Sequence, residues 1–250
     1  MGKCVKKVKK VIKSSPIPIY CQLKEIIQEM IDNEELQPND PIPTERELCK
    51  IHDISRMTVR MAIMSLVNEG VLYREQGKGT FVARKKQKHQ LSHLRGFTED
   101  MEKLGHIVDT EILSFDKVNC AKSIAKTIGL SNEQKAIEIK RLRIVDGTPH
   151  ALETVWLHPN EYPDLKRERL ENVSLYDVFQ KDYGLKPKYA KQTVEPIHLN
   201  TFEKDLFGIE GDSLGLLFNR TTFSDNDVVI EYSKAVYRID KHKFEIYLEA

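Results

Sequence analysis

Beyond residue 92 the chain repeats itself at an offset of 79 residues, and that repeat restricts the fold more than any other feature. Gly105 matches Gly184, each closing a helix-like stretch, FTEDMEKLG and YDVFQKDYG. SFDKV matches TVEPI, and helical patterns end in IGL at 128–130 and FGI at 207–209. Arg141 falls on Arg220 and the turn residue Asp146 on Asp225. The offset then slips by one, so that LETVW at 152–156 aligns with IEYSK at 230–234. Each half reads helix, strand, helix, two-stranded hairpin. Two copies are too few for a solenoid, so residues 93–250 are expected to form one duplicated α+β domain.

Such a duplication implies a pseudo-two-fold with equivalent positions on either side of a central cleft. Glu153 and Glu231 are expected to be one such pair, and the helix starts Arg95–Gly96 and Ser174–Leu175 another. Helix N-termini carry unsatisfied N–H groups and attract phosphate or carboxylate. Arg141 and Arg143 alternate on one face of a strand and can clamp the same anion. The plainer alternative is that these charges form surface ion pairs.

The first part of the chain has a different pattern. Tyr20, Leu23, Ile26, Ile27, Met30 and Ile31 form a helical stripe ending near the turn-rich QPNDPIP at 37–43. Thr44 with Glu47 is a capping box that starts a second helix. Asp53 tolerates a turn, and Ser55 is an N-cap for a third helix with Val59, Ala62, Ile63 and Leu66 as its buried stripe. Gly70 follows its end, then VLYRE and TFVAR read as strands joined by QGKG. Three helices and a hairpin in this order make a winged helix-turn-helix, over residues 16–84, whose third helix enters a DNA major groove. Arg56 and Arg60 lie one turn apart beside the buried stripe, where a guanidinium fork can grip guanine or phosphate. Ser55 and Thr58 offer short donors to phosphate oxygens. Arg46 can reach the backbone nearby, and Gly77 and Gly79 let the hairpin tip approach a groove. Two arginines on an exposed helix are, by themselves, ordinarily a solvated face.

Charge supports the division. Residues 1–86 hold 16 Lys/Arg against 11 Asp/Glu, while 87–250 hold 23 against 27. Six of the lysines lie in the tail at 1–15, a pattern that is usually a disordered arm and less often a contact to nucleic acid. The polar, basic stretch ARKKQKHQ at 83–90 marks the expected linker, set at 85–92. No apolar run reaches membrane-span length and no leader is apparent. The cysteines Cys4, Cys21, Cys49 and Cys120 are scattered without a CxxC, so a cytoplasmic protein with reduced thiols is expected.

The run PIPIYCQL…IPTEREL…ISRMTVRMAIMSLVNEGVLYREQGKGTFV, across 16–83, resembles the DNA-binding domain of GntR-family bacterial transcription regulators. The resemblance implies operator contacts by Arg46, Ser55, Arg56, Thr58, Arg60 and Gly77. Asp53 departs from the glycine usual in that family. The segment KRLRIVDGTPHALETVWL…NVSLYDVF…VVIEYSKAVYR resembles the effector-binding UTRA domain of the HutC-like branch, a chorismate-lyase-like antiparallel sheet, over 92–248. In members that sense phosphorylated sugars, positions matching Arg141, Arg143, Ser174 and Tyr176 take the phosphate. Those matching Glu153, Glu231 and Tyr237 hold sugar hydroxyls. Relatives often place serine or threonine just before Phe97; here Gly96 leaves backbone N–H groups to serve.

Catalysis is the rival class, but no GxSxG, HExxH or GxxxxGK[ST] occurs. His89 and His93 are spaced as metal ligands could be, yet without a carboxylate motif they read as solvated, so neither metal nor cofactor is expected. The expected protein is an α+β homodimeric transcription regulator that acts as a repressor. It binds near-palindromic double-stranded DNA and responds to a small anion, first a sugar phosphate, alternatively a carboxylate or amino-acid-like metabolite.

Overall fold

The computed structural model describes residues 9–83, 87–90, 94–131 and 133–247. The chain divides into two compact units, 1–87 and 88–250.

The first unit contains α1 (Ile19–Asp32), α2 (Glu45–His52), α3 (Arg56–Asn68) and a hairpin of β1 (Leu72–Glu75) and β2 (Gly79–Val82). The capping box forms as the spacing requires, Thr44 accepting from the Glu47 N–H and Glu47 from the Thr44 N–H. Asp53 terminates α2 in the left-handed region, φ 52°, ψ 55°, a conformation aspartate reaches more readily than most residues. Glycine is therefore not required there. Leu23, Ile27, Leu48, Val59, Ile63 and Leu66 close one core between the helices, with Leu72 and Val82 of the hairpin.

The described part of the basic tail is not loose. Gln22, buried on α1, accepts from the Ile12 N–H (2.8 Å) and donates to the Ile12 and Ile17 carbonyls. A single side-chain amide thus satisfies backbone groups that charge counting ignores. Lys9 and Lys13 also pair with Glu29 and Asp53. Of the expected linker, residues 85–86 and 91–92 lie outside the described residues, as does His93. Between them Gln87–Gln90 forms β3, paired with β10 (His242–Glu245), because backbone pairing does not depend on apolar side chains.

The second unit realises the repeat element by element. The first half is α4 (Phe97–Lys103), β4 (Val108–Val118), α5 (Lys122–Ile128), β5 (Ala136–Val145) and β6 (Thr148–Leu157). The second is α6 (Leu175–Tyr183), β7 (Pro187–His198), α7 (Thr201–Phe207), β8 (Leu214–Ser224) and β9 (Val229–Arg238). All six strands form one antiparallel sheet in the order β4-β5-β6-β9-β8-β7, so the pseudo-two-fold runs between β6 and β9. The helices cross over this axis. α5 packs against β9, through Ile124, Ile128, Val229 and Tyr232, and α7 packs against β6, through Phe207 and Leu152.

The register corrects one expectation. The β5–β6 hairpin closes on Asp146 and Gly147, both at positive φ, as a two-residue turn of opposite hand to the common type demands. The β8–β9 turn is one residue longer, with the Ser224 N–H donating to the Val228 carbonyl (2.9 Å). The offset therefore rises past the turn instead of falling. Arg141 stands opposite Glu153, while Arg220 stands opposite Ser233. Glu231 stands opposite Thr222, the counterpart of Arg143. A bulge after Arg143 recurs after Thr222, which fixes the equivalence. Glu153 and Glu231 are thus not symmetry mates.

One sheet face is apolar at one end, where Ile137, Ile139, Val155 and Leu157 meet Leu175, Val178 and Phe179 of α6. Tyr162 is 1% exposed and donates its hydroxyl to the Ile230 carbonyl at 2.6 Å. Tyr162→Phe strips that carbonyl of its donor, at a cost of about 1–3 kcal/mol. A fall in Tm of roughly 2–10 °C is expected in a thermal melt, and an unchanged Tm would show the bond to be dispensable.

Candidate functional site

In the first unit the six sequence-selected residues lie on α2, α3 and the hairpin tip. Arg46, Arg56 and Arg60 are exposed, and Val59, Ala62 and Ile63 turn inward beside them. Arg56 donates through Nε to Glu45 Oε2 (3.3 Å), and Arg74 donates to the other Glu45 oxygen (3.1 Å). One carboxylate thus ties α2, α3 and β1 together while most of the Arg56 side chain remains in solvent. Ser55 Oγ accepts from the Thr58 N–H (3.1 Å), and the two hydroxyls lie 2.8 Å apart. Since one hydroxyl donates to the other, only one of the pair keeps a proton for an outside acceptor. Gly77 is exposed at φ 75°, with no atom within 4 Å of where a Cβ would stand.

In the second unit all nine sequence-selected residues line one cavity: Gly96 and Phe97 from α4, Ser174 and Tyr176 from α6, Arg141 and Arg143 from β5, Glu153 from β6, and Glu231 and Tyr237 from β9. The strand alternation explains the grouping. Ile137, Ile139, Arg141 and Arg143 share one face of β5, so the row passes from core into cavity without leaving the sheet. The two helix starts converge above it. A Cβ on Gly96 would lie 3.3 Å from Ser174 Oγ and 3.7 Å from the Tyr176 ring, so glycine here keeps the two ends close.

The cavity is a set of buried charges with incomplete pairing. Arg141 and Arg143 are 4% and 2% exposed. Arg141 donates through Nη2 to Glu153, and Arg143 through Nη2 to Thr98 Oγ1. The Phe97 ring lies 4.9 Å from the Arg143 guanidinium carbon. Arg141 Nε, Arg141 Nη1 and Arg143 Nε have no acceptor among the described residues. Burial and the neighbouring Arg141 charge push the Arg143 pKa down to about 10. Burial would raise the Glu153 carboxyl, but Arg141 and Arg143 outweigh it and hold the group below its usual range. Glu231 goes the other way, raised by burial and by the Glu153 charge. Its Oε1 accepts from Tyr176 and Thr222, each at 2.8 Å. Burial raises the Tyr237 phenol to about 12.

Arg220 and Thr98 also line the cavity and were not selected from sequence, Arg95 was named only as a helix start, and Thr222 adjoins the cavity through its bond to Glu231. Arg220 donates to Gln192 Oε1 (2.7 Å), to the Arg95 carbonyl (3.4 Å) and to the Tyr176 hydroxyl (3.5 Å). The repeat itself, which superposes Arg141 on Arg220, carries the signal for it. Among the described residues no cluster of three metal-ligating side chains occurs, and no helix is long and apolar enough to cross a membrane.

Comparison with known proteins agrees with both halves. Residues 19–82 match the model of bacterial regulatory proteins of the gntR family, and residues 103–243 match the UTRA domain. The chain is 37% identical to the HTH-type transcriptional repressor NagR of Bacillus subtilis, over 95% of this chain and 97% of that protein. It is 26% identical to the probable fructoselysine utilization operon transcriptional repressor of Escherichia coli K12, over 89% and 91% of the two chains. The crystal structure of PhnF from Mycobacterium smegmatis superposes with a TM-score of 0.64 at 26% identity, covering 91% of this chain and 99% of that one. The chain belongs to the GntR family, in its HutC-like branch: a ligand-responsive, DNA-binding transcription regulator with a UTRA domain, and not an enzyme.

Proposed function

We propose that the protein is a homodimeric repressor of a near-palindromic operator, and that a phosphorylated sugar bound in the UTRA cavity controls its operator affinity. The observation that carries the ligand class is the set of guanidinium N–H groups on Arg141 and Arg143 buried without an acceptor. Burying such donors unpaired is costly, and an anion with several oxygens repays that cost. In this reading Arg141, Arg143, Ser174, Tyr176 and the Gly96–Phe97 backbone hold the phosphate. Glu153, Glu231 and Tyr237 hold hydroxyls. A relative named for fructoselysine utilization supports a sugar-derived ligand.

On the DNA side, Arg56 and Arg60 read base edges or phosphates from α3, Arg46, Ser55 and Thr58 contact the backbone, and Gly77 lets the wing tip approach. A single winged helix neutralises few phosphates, and a dimer doubles them. Effector binding then changes operator affinity by roughly 1–3 kcal/mol, the usual size of such coupling.

A thermal-shift panel of phosphorylated sugars, their unphosphorylated forms, small carboxylates and amino acids tests the ligand class. At about a hundred times its dissociation constant the effector adds roughly 2.7 kcal/mol, on the order of 5–10 °C. The shift is expected with one sugar phosphate and absent without its phosphate. A shift from a carboxylate or amino acid alone overturns the sugar-phosphate assignment; Glu231 and Asp100, both raised carboxyls in the cavity, are the groups that would then face an ammonium.

A further inference from the structure

The exposed face of α3 carries more than arginines. Met57, Met61 and Met64 are 68%, 49% and 40% exposed, and they account for three of the six methionines in the chain. Their spacing of four and three residues puts them on one stripe. On a helical projection Arg56 and Arg60 border that stripe on one side, and the buried row of Val59, Ala62, Ile63 and Leu66 lies opposite. Core packing therefore does not explain these side chains. A solvated helix face has no use for three large apolar groups, whereas single scattered ones need no explanation.

We propose that Met57 and Met61 read thymine by packing against its 5-methyl group in the major groove. The inference rests on the reading of α3 as the helix that enters that groove. Three features favour this occupant over another apolar partner. The stripe is continuous with the arginine pair, so whatever meets the methionines also meets two guanidinium groups, which favours a polyanion with apolar spots. In the major groove the thymine methyl is the apolar group, and side chains recognise it by contact. The two residues also lie in the first half of α3, the part of a recognition helix that faces base edges. They are one helical turn apart, and side chains three to four residues apart on a helix in the major groove reach successive bases. The methionines are thus expected to address neighbouring base pairs in each half-site, while the arginines address guanine or phosphate. An unbranched, polarisable thioether adapts to either strand's methyl, so the contact selects thymine without demanding one geometry.

The test uses the full-length protein and a duplex selected from a randomised library. Each thymine is replaced in turn by deoxyuridine, which lacks only the methyl group. Wild type is expected to lose affinity about fourfold per contacted methyl, the equivalent of ~0.8 kcal/mol for one buried carbon, at one or two positions per half-site. Met57→Ala and Met61→Ala are expected to bind more weakly and to become indifferent to deoxyuridine, each at its own position. Their melting temperatures should match wild type, because both side chains are solvent-facing. Equal wild-type affinity for thymine and deoxyuridine duplexes overturns the proposal, as does a methionine variant that keeps the full deoxyuridine penalty. Arg56→Ala separates the two levels. If it binds the selected duplex as tightly as wild type, α3 is not the reading helix and both fall. If it loses binding while deoxyuridine has no effect, only the methionine assignment falls.

Discussion

Arg60→Ala is expected to weaken operator binding by roughly 30-fold to 10⁴-fold. A bidentate contact to a base edge accounts for about 1–3 kcal/mol of discrimination, and a homodimer loses it twice. On a duplex with only one intact half-site the loss should shrink to about its square root, so the same titration examines the proposed dimer. The side chain is exposed and its neighbours Val59 and Ile63 form the core without it, so Tm should not move. The effector's thermal shift should also persist. Retained operator affinity would remove Arg60 from the proposed interface, and a lost effector response would show that the two units do not divide the work as described.

Arg141→Ala should have the reverse signature, with a structural penalty added. It removes the partner of Glu153 and leaves a carboxylate only 18% exposed, where loss of a partner from a fully buried pair typically costs 3–5 kcal/mol. Because Arg143 still faces Glu153, about 3 kcal/mol is the expected loss at neutral pH. The pH dependence has a definite sign. In wild type Glu153 titrates below its unfolded value, so its ion pair stabilises above that value and the benefit fades as pH falls through the folded one. The Tm gap between wild type and Arg141→Ala should therefore narrow on acidification. Glu153→Gln in the Arg141→Ala background should restore much of the Tm and none of the effector response. Recovery of effector response by that double variant would contradict an anion held by Arg141.

Much of this was readable because local chemistry decided it. Thr44 and Ser55 start helices wherever their spacing to Glu47 and Thr58 permits, and Asp146–Gly147 dictates its own turn. Five of the nine cavity residues converge since alternation along β5, β6 and β9 sends them to one face, and the other four come from the starts of α4 and α6. What escaped depends on partners far along the chain. Whether Glu153 is matched by Ser233 or Glu231 is set by one extra residue in the β8–β9 turn, to which side-chain similarity is blind. Gln22 reads as a polar interruption of the α1 stripe until the segment before the helix folds back onto it. Arg220 was visible only as a repeat match, because its role comes from Gln192 and Tyr176 on other elements.

The crossing of α5 onto β9 and of α7 onto β6 has an evolutionary corollary. Each half lends a helix to a strand of the other, so in a half-length chain the same packing would call for an intertwined pair. Such a pair offers an asymmetric molecule two identical ways to enter. A single chain frees the sides to differ, and here Arg143 is the counterpart of Thr222 and Glu153 of Ser233. Under the proposed function, a cavity with such unlike sides can tell the head of its ligand from the tail and hold it in a single pose.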